Sequence, residues 1–255
     1  VKIVLLITLF FSNLLATDVK LYFENKTVSN AQTALLVLET KKNIKDAKLT
    51  ILKNKTNIDF FKIPFKEDKY YALIPTSYYI KPDKYKIIIS YKLNDKKIFD
   101  SIYLNVKKGD YASEKIRVSG SKVSLSNKNK KRTKKEYKNA MELYSSIDKN
   151  LYWKEDFINP LNTKITSEFG TRRVYNNKLK SYHSGTDFRA KVGTQVIASN
   201  SGVVRLAKNR FYAGNSVIID HGFGVYSCYY HLSKMSVKEG DIVKRGETIG
   251  LSGST

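Results

Sequence analysis

The uneven distribution of glycine is the feature that most constrains the fold of this 255-residue chain. Of 13 glycines, only Gly109 and Gly120 precede residue 157, and the other 11 fall in the last 99 residues, together with all three histidines. Glycine adopts left-handed backbone conformations that other residues avoid, so it concentrates where a chain turns tightly. The distribution therefore predicts two differently built parts, of which the C-terminal part is rich in turns and carries any imidazole chemistry.

Residues 17–108 alternate β-branched and aromatic runs with turn residues, which is typical of short strands. Asn94-Asp95 between two such runs fits a hairpin turn. The sequence of this part shows no histidine, cysteine or ligand-spaced carboxylates, so it predicts a mainly β, sandwich-like domain with a binding, spacer or inhibitory role. The seven predicted strands are Val19–Glu24, Thr33–Thr40, Ala47–Leu52, Phe60–Ile63, Tyr70–Ile74, Tyr85–Leu93 and Ile98–Val106.

Residues 109–156 are predicted to be a basic connector made of a hairpin and a helix. Alternation of apolar and polar residues from Lys115 to Ser126 indicates a β-hairpin. Thr133-Lys134-Lys135-Glu136 has the spacing of a capping box, which predicts a helix over about residues 133–147. The cations of the connector fit either a solvated charge run or adhesion to an anionic cell wall or membrane surface.

The net charge of +23 points to an acidic partner, and lysine supplies most of it, since 38 of the 46 cations are lysines. Proteins that read bases favour the guanidinium fork of arginine, so we expect no nucleic acid partner. A biased genome is an alternative explanation of the lysine content. The single cysteine, Cys228, excludes an intrachain disulfide framework and a cysteine-rich zinc cluster.

Residues 1–16 place one cation, Lys2, before an apolar run that is too short to span a bilayer. This pattern predicts a secretory signal peptide, with an uncleaved N-terminal anchor as the alternative. We therefore expect the protein to be exported and to be periplasmic or associated with the cell wall.

The segment from Tyr182 to Phe188 holds two metal-competent side chains, His183 and Asp187, four residues apart. On a straight strand they would stand about 13 Å apart, but a bend at Gly185 would bring them onto one cation. Imidazole nitrogen and carboxylate oxygen are both donors that zinc accepts. The spacing alone is a weak signal, because such pairs arise often by chance.

Residues 157–255 are predicted to form a compact β-barrel-like domain, because short strands recur there with glycine at each corner. The predicted hairpin from Asn215 to Leu232 would place His231 opposite the bend that carries His183 and Asp187.

Several blocks of this part, in this order, resemble the lysostaphin-type (LytM-type) zinc peptidases of bacterial cell walls. The blocks are Ile165–Arg172, His183–Asp187, Gly193–Ala198 with Gly202–Val204, Gly214–Gly222, Tyr230–Leu232 and Val237–Val243. The resemblance implies a secreted zinc endopeptidase that cuts cross-link or stem peptides of peptidoglycan. It implies that His183 and Asp187 bind zinc and that His231 is one of two catalytic histidines.

The family's third ligand and other catalytic histidine come from a His-x-His motif after a segment like Gly250–Thr255, where this sequence stops. We expect the chain to be a truncated form of a longer protein, with weak zinc binding as it stands.

Two other functions remain open. A non-catalytic member of the same fold would bind cell wall or activate another hydrolase, and retention of His183, Asp187 and His231 disfavours it. A lipoyl- or biotinyl-carrier-like domain would need an attachment lysine in a hairpin. His221 is interpreted as a turn or core residue rather than a catalytic one, and Cys228 as a packed apolar side chain rather than a nucleophile. Arg172 and Arg173 fit either solvated surface cations or contacts to a substrate carboxylate. Tyr182 and Tyr230 fit either support of the site or simple packing.

Overall fold

The computed structural model describes residues 19–51, 56–63, 66–120, 124–177 and 179–255. The chain divides into two compact units, Val1–Gly109 and Asp110–Thr255. The signal peptide expected at residues 1–16 lies outside the described residues. Within the described ranges, no helix is both long and apolar enough to cross a membrane.

The first unit consists of short strands arranged in two sheets. Its strands are β1 (Val19–Phe23), β2 (Thr27–Ser29), β3 (Thr33–Thr40), β4 (Ile44–Ile51), β5 (Thr56–Asp59), β6 (Phe61–Lys62), β7 (Lys69–Pro75), β8 (Asp83–Leu93) and β9 (Lys96–Lys107). One sheet has the order β1-β3-β7-β6, and the other has the order β2-β9-β8-β4-β5. Each predicted run falls on one of these strands, and β2 and β5 are strands that the sequence pattern did not reveal.

Both sheets of the first unit contribute side chains to one apolar core. Buried residues alternate along β8, and they meet residues such as Leu36 and Leu38 of β3 in that core. Strands with one buried and one exposed face pack in this way in a β-sandwich. The β8–β9 hairpin turns at Asn94 and Asp95, whose φ angles are 49° and 59°, so the predicted hairpin is confirmed.

The predicted hairpin over Lys115–Ser126 is wrong. A strand β10 (Ser113–Ile116) is present, but it pairs in parallel with the distant segment Arg172–Tyr175. The Asn176 side chain then bonds both backbone groups of Val118, at 2.9 Å each, and ends the strand. Residues 117–120 and 124–126 form no strand. The strand that precedes them pairs with residues 59 positions further along the chain rather than with an adjacent segment.

The predicted helix exists, but it is longer than expected: α1 spans Asn127–Ser145. The Ser126 side chain accepts the Asn129 amide at 3.3 Å and caps the helix. Thr133, the predicted cap, lies inside the helix, where its hydroxyl donates to the Lys130 carbonyl at 3.2 Å. Lysine is a good helix former, so the cationic run continues the helix back to an earlier serine cap.

The remaining strands of the second unit are short and turn-linked, as its glycine content predicts. They are β11 (Ile165–Ser167), β12 (Arg172–Tyr175), β13 (Leu179–Tyr182), β14 (Asp187–Phe188), β15 (Gln195–Ile197), β16 (Gly202–Arg210), β17 (Gly214–Asp220), β18 (Tyr226–Met235), β19 (Ile242–Val243) and β20 (Thr248–Ser252). The sheets have the orders β10-β12-β13, β11-β14 and β15-β20-β18-β17-β16-β19. The predicted fold class, mainly β, is confirmed.

The six-stranded sheet of the second unit is built around an apolar core that includes Val217, Ile219 and Ile249. Helix α1 belongs to the same unit and contacts this sheet at Tyr226 of β18, whose hydroxyl donates to the Leu143 carbonyl at 3.0 Å. The two small sheets β10-β12-β13 and β11-β14 carry the candidate site described next.

Candidate functional site

His183 and Asp187 are brought together, as the bend hypothesis predicts. His183 directly follows β13 and Asp187 opens β14, so the two residues belong to segments of different sheets. The chain bends at Gly185 between them. Nε2 of His183 consequently lies 3.1 Å from Oδ1 of Asp187.

Backbone hydrogen bonds hold His183 in this position. Its amide donates to the Thr171 carbonyl at 2.8 Å, and its carbonyl accepts the Gly170 amide at 2.8 Å. The φ angle of Gly185 lies outside the left-handed region, and a Cβ there would stand 3.7 Å from Nε2 of His183. Gly185 therefore contributes open space beside Nε2 rather than a left-handed turn.

The other ring nitrogen of His183 faces acceptors. Nδ1 lies 3.2 Å from the Glu168 carbonyl oxygen and 3.3 Å from Oγ of Ser167. A carbonyl oxygen can only accept, so the ring nitrogen that meets it carries the proton. In the neutral ring, Nε2 then presents an unprotonated lone pair to Asp187.

When the His183 ring is neutral, Nε2 of His183 and Oδ1 of Asp187 both present electron pairs, so one cation can bind both atoms. Two ligands about 2.0–2.2 Å from one tetrahedral zinc ion lie about 3.3 Å apart, close to the separation in this pair. A histidine that binds zinc through Nε2 commonly donates its Nδ1 proton to a carbonyl or carboxylate, as His183 does to Glu168. The pair thus fits zinc by donor type, spacing and tautomer.

Asp187 is engaged on its second oxygen. Nη2 of Arg173 lies 2.8 Å from Oδ2 of Asp187, and Nε of the same arginine lies 2.6 Å from Oε1 of Glu114. Burial acts to lower the pKa of Arg173, but hydrogen bonds to Glu114 and Asp187 raise the pKa above its ordinary value. Arg173 is therefore a cation held between two carboxylates, and its interpretation as a solvated surface residue is wrong.

His231 lies on a different sheet, at an irregularity of β18. Between the pairs Val217↔Tyr229 and Asn215↔Leu232, β18 has one more residue than β17, which makes a bulge. His231 has a φ of 58°, in the left-handed region. Bulges and left-handed non-glycine residues concentrate next to functional sites, where they re-aim a side chain. The His231 side chain is exposed, and its Nδ1 hydrogen-bonds the Thr255 carbonyl oxygen.

His221 is a fully buried core residue, as predicted from the sequence. Nδ1 lies 2.7 Å from the Ser201 carbonyl oxygen, and Nε2 lies 2.7 Å from the Ser227 hydroxyl. The hydroxyls of Ser227 and Tyr229 are 2.9 Å apart, and the Ser199 amide donates to the Tyr229 hydroxyl at 2.7 Å. The Ser201 carbonyl oxygen can only accept, so Nδ1 of His221 carries a proton. Burial of the ring disfavours its charged form and lowers the pKa of His221.

Two other expectations are corrected or refined. Cys228 is exposed rather than packed, and its Sγ lies 3.3 Å from the Tyr144 hydroxyl. The alternation of β18 places this side chain on the outward face of the sheet.

The Tyr230 ring receives the Arg210 guanidinium at 5.8 Å from its centroid, while Tyr182 packs edge-on against Phe169, with 6.4 Å between the ring centroids.

Sequence reasoning missed Glu114, Ser167 and Glu168 as neighbours of the candidate site. Glu114 lies 69 residues before His183, in a connector that the pattern assigned to a hairpin. Ser167 and Glu168 lie within or beside the block Ile165–Arg172, so their position in that block was the available signal. No third His, Cys, Asp or Glu joins His183 and Asp187 in a metal-sized group among the residues that the structure describes.

Comparison with known proteins identifies the C-terminal segment. Residues 181–255 match the family described as Peptidase family M23. The peptidoglycan DD-endopeptidase ShyA of Vibrio cholerae is 47% identical over 93 residues, which cover 36% of this chain and 22% of that protein. An uncharacterized metalloprotease of Buchnera aphidicola is 40% identical over 93 residues, which cover 36% of this chain and 25% of that protein.

A crystal structure of a peptidase M23 from Pseudomonas aeruginosa shares the fold, with a TM-score of 0.63 at 22% identity over 87% of this chain and 82% of that chain. The aligned segment spans about a quarter or less of the length of the two curated relatives. These matches confirm the resemblance to LytM-type peptidases that the ordered sequence blocks indicate.

Proposed function

We propose that this protein, whose residues 181–255 are a peptidase family M23 domain, is a zinc endopeptidase that hydrolyses peptide bonds in bacterial peptidoglycan. His183 and Asp187 are the zinc ligands in this proposal, and His231 is a catalytic residue. When bound, zinc polarises a carbonyl group and acidifies a water molecule, which is the chemistry that amide hydrolysis needs.

One observation carries the proposal: the 3.1 Å approach of Nε2 of His183 to Oδ1 of Asp187. The Glu168 carbonyl accepts the Nδ1 proton and thereby leaves Nε2 of His183 free to bind a metal. Asp187 supplies a negative charge on the same side, so the pair attracts a divalent cation.

By the family resemblance, the third donor would be a histidine of a His-x-His motif. The sequence holds only His183, His221 and His231. His221 is excluded as the donor, because both of its ring nitrogens are occupied in the core. Three protein ligands would leave the fourth position of a tetrahedral ion for water or substrate.

His231 contributes a proton acceptor or an oxyanion donor. Its side chain is exposed at a bulge, and its Nδ1 is hydrogen-bonded to the Thr255 carbonyl. A ring held through Nδ1 presents Nε2 to a reacting group, which allows general base catalysis or hydrogen bonding to a developing oxyanion.

The relatives and the net charge support the proposed substrate class. The relative in Vibrio cholerae is named as a peptidoglycan DD-endopeptidase. Peptidoglycan peptides carry carboxylates, and the chain carries a net charge of +23, so the two attract each other at long range. The proposal includes export to the periplasm or cell wall, which rests on the signal-like residues 1–16.

Digestion of purified peptidoglycan tests the proposal. The full-length natural protein, loaded with zinc, should release soluble peptide-linked fragments, and His183→Ala should lose both its zinc and this release. Tyr137→Ala is the matched control, because Tyr137 is 67% exposed and lies on α1, which carries none of the proposed site residues.

Three outcomes are informative. Fragment release by wild type and by the Tyr137 variant, but not by His183→Ala, supports the proposal. Undiminished release by His183→Ala would show that His183 is not a ligand. Binding to peptidoglycan without release, by a protein that has its zinc, would favour the non-catalytic wall-binding function instead.

A further inference from the structure

Arg173 occupies a distinctive place beside the proposed zinc ligands. Its side chain is only 15% exposed, and it hydrogen-bonds two carboxylates and the hydroxyls of Ser167 and Tyr175. Nη2 donates to Oδ2 of Asp187 at 2.8 Å and to Oγ of Ser167 at 3.1 Å, while Nε donates to Oε1 of Glu114 at 2.6 Å. The guanidinium is planar, so these bonds together fix its orientation.

As a result, the two carboxylate oxygens of Asp187 have different partners. Oδ2 accepts from Arg173, and Oδ1 faces Nε2 of His183 at 3.1 Å. The Asp187 side chain is about half exposed in the folded protein, so packing alone does not determine its rotamer. The bond to Arg173 does, because rotating the carboxylate away from His183 would break it.

Glu114 has a complementary effect on charge. A lone guanidinium beside a metal ligand would repel a divalent cation and withdraw electron density from the carboxylate. Glu114 balances that charge, so Arg173 can orient Asp187 without adding a net positive charge to the site. Glu114 is brought there by the parallel pairing Glu114↔Arg173 of β10 with β12.

We propose that Arg173, anchored by Glu114 of β10, is a positioning residue that holds Asp187 in the orientation required to bind zinc. The inference rests on the proposed function, since it takes zinc as the ion. It extends the site to residues 113–116 and 172–175, outside the matched segment 181–255.

Zinc affinity, measured by competition with a chromophoric chelator in the full-length natural protein, tests this role. Arg173→Met should weaken zinc binding by about 10- to 100-fold, as loss of an outer-shell partner does. Arg173→Lys should restore only part of the affinity, because one ammonium group cannot reproduce the fork. Arg172→Met is the control, since the neighbouring Arg172 is exposed on the other face of β12, and it should leave zinc affinity unchanged.

Glu114 is tested by a double-mutant cycle. Glu114→Gln should also weaken zinc binding, and Arg173→Met with Glu114→Gln should bind zinc no more weakly than Arg173→Met alone. Three results would overturn the proposal. The zinc affinity of Arg173→Met could lie within about twofold of wild type, or Arg173→Lys could bind zinc as tightly as wild type. The losses of zinc affinity in the two single variants could also simply multiply in the double variant, which would show that the two residues act independently. Metal-free thermal unfolding of each variant checks that it folds, and Glu114→Gln remains a test if Arg173→Met does not.

A metal-free crystal structure separates this inference from the proposed function. Arg173→Met should release Asp187, so that Oδ1 no longer faces Nε2 of His183, whether or not wild type binds zinc. An unmoved Asp187 would contradict the positioning role. A wild-type protein that binds no zinc would instead contradict the proposed function while leaving this structural test in force.

Discussion

Nε2 of His183 lies 3.1 Å from Oδ1 of Asp187, although the two residues border strands of different sheets. His231 is proposed to act as a general base or to hydrogen-bond the developing oxyanion, and it is not a proposed zinc ligand. We therefore expect His231→Ala to lower kcat by about 10²- to 10⁴-fold while zinc content stays at the wild-type level. Metal analysis beside peptidoglycan digestion checks this, and loss of zinc in His231→Ala would show that His231 is a ligand.

Gly222 occupies a position that no side chain can share. It has a φ of 86°, and a Cβ there would lie 1.7 Å from the Asn150 carbonyl oxygen. Gly222→Ala should lower the free energy of unfolding by more than about 2 kcal/mol. Alanine at this φ is strained, and the backbone around Asn150 must also move to make room for the Cβ. Gly240→Ala is the control: Gly240 has a φ of 92° but nothing within 4 Å of a Cβ, so it should cost only about 1–2 kcal/mol. Equal losses in urea unfolding would contradict the predicted clash.

Arg205 neutralises a buried carboxylate. Its Nε lies 3.1 Å from Oδ2 of Asp220, whose side chain is 2% exposed, and its Nη2 lies 2.7 Å from Oδ2 of Asp148. Arg205→Gln should lower the free energy of unfolding by about 2–3 kcal/mol, because it leaves the Asp220 carboxylate buried without a cation. The loss is smaller than for a fully buried ion pair, because Arg205 is partly exposed and solvent screens its charge. Chemical denaturation against Arg172→Gln measures this. A loss no larger than that of the surface control would refute it.

His221 predicts a dependence of stability on pH. Burial lowers its pKa below the ordinary value of 6.5, so the folded state binds fewer protons than the unfolded state just below that pH. Its contribution to the free energy of unfolding is therefore complete above about pH 6.5 and decreases as the pH falls toward the folded-state pKa, by up to about 1.4 kcal/mol per pH unit.

Urea unfolding between pH 7 and pH 5 measures this slope, and His221→Gln should flatten it. NMR of the His221 ring gives a second measurement on wild type, in which the midpoint of protonation should lie below the ordinary value of 6.5. Identical slopes together with a midpoint at or above 6.5 would show that burial does not lower the pKa of His221.

Local patterns were enough to predict most of the fold. Residue alternation located β8 and the Asn94-Asp95 turn, because a half-buried strand and a tight hairpin each depend on nearby residues. The pairing of β10 with β12 was not predictable in this way, since parallel strands are joined by long connections whose partners no local pattern specifies.

In the candidate site, too, the residues that are close in sequence were predictable and those that are distant in sequence were not. His183 and Asp187 could be proposed from a four-residue spacing with a glycine between them, and the ordered blocks gave the family. Arg173 was assigned to the surface because its partner Glu114 lies 59 residues away. The exposure of Cys228 follows from the face that β18 turns outward, which a run of similar residues does not reveal.

Anomalous diffraction at the zinc edge, from crystals of the full-length natural protein, locates zinc without any assumption about its ligands. We expect one zinc peak about 2.0–2.2 Å from both Nε2 of His183 and an oxygen of Asp187, with Oδ2 still bonded to Arg173. A zinc ion bound elsewhere, or no zinc peak in a protein that still cleaves peptidoglycan, would contradict it.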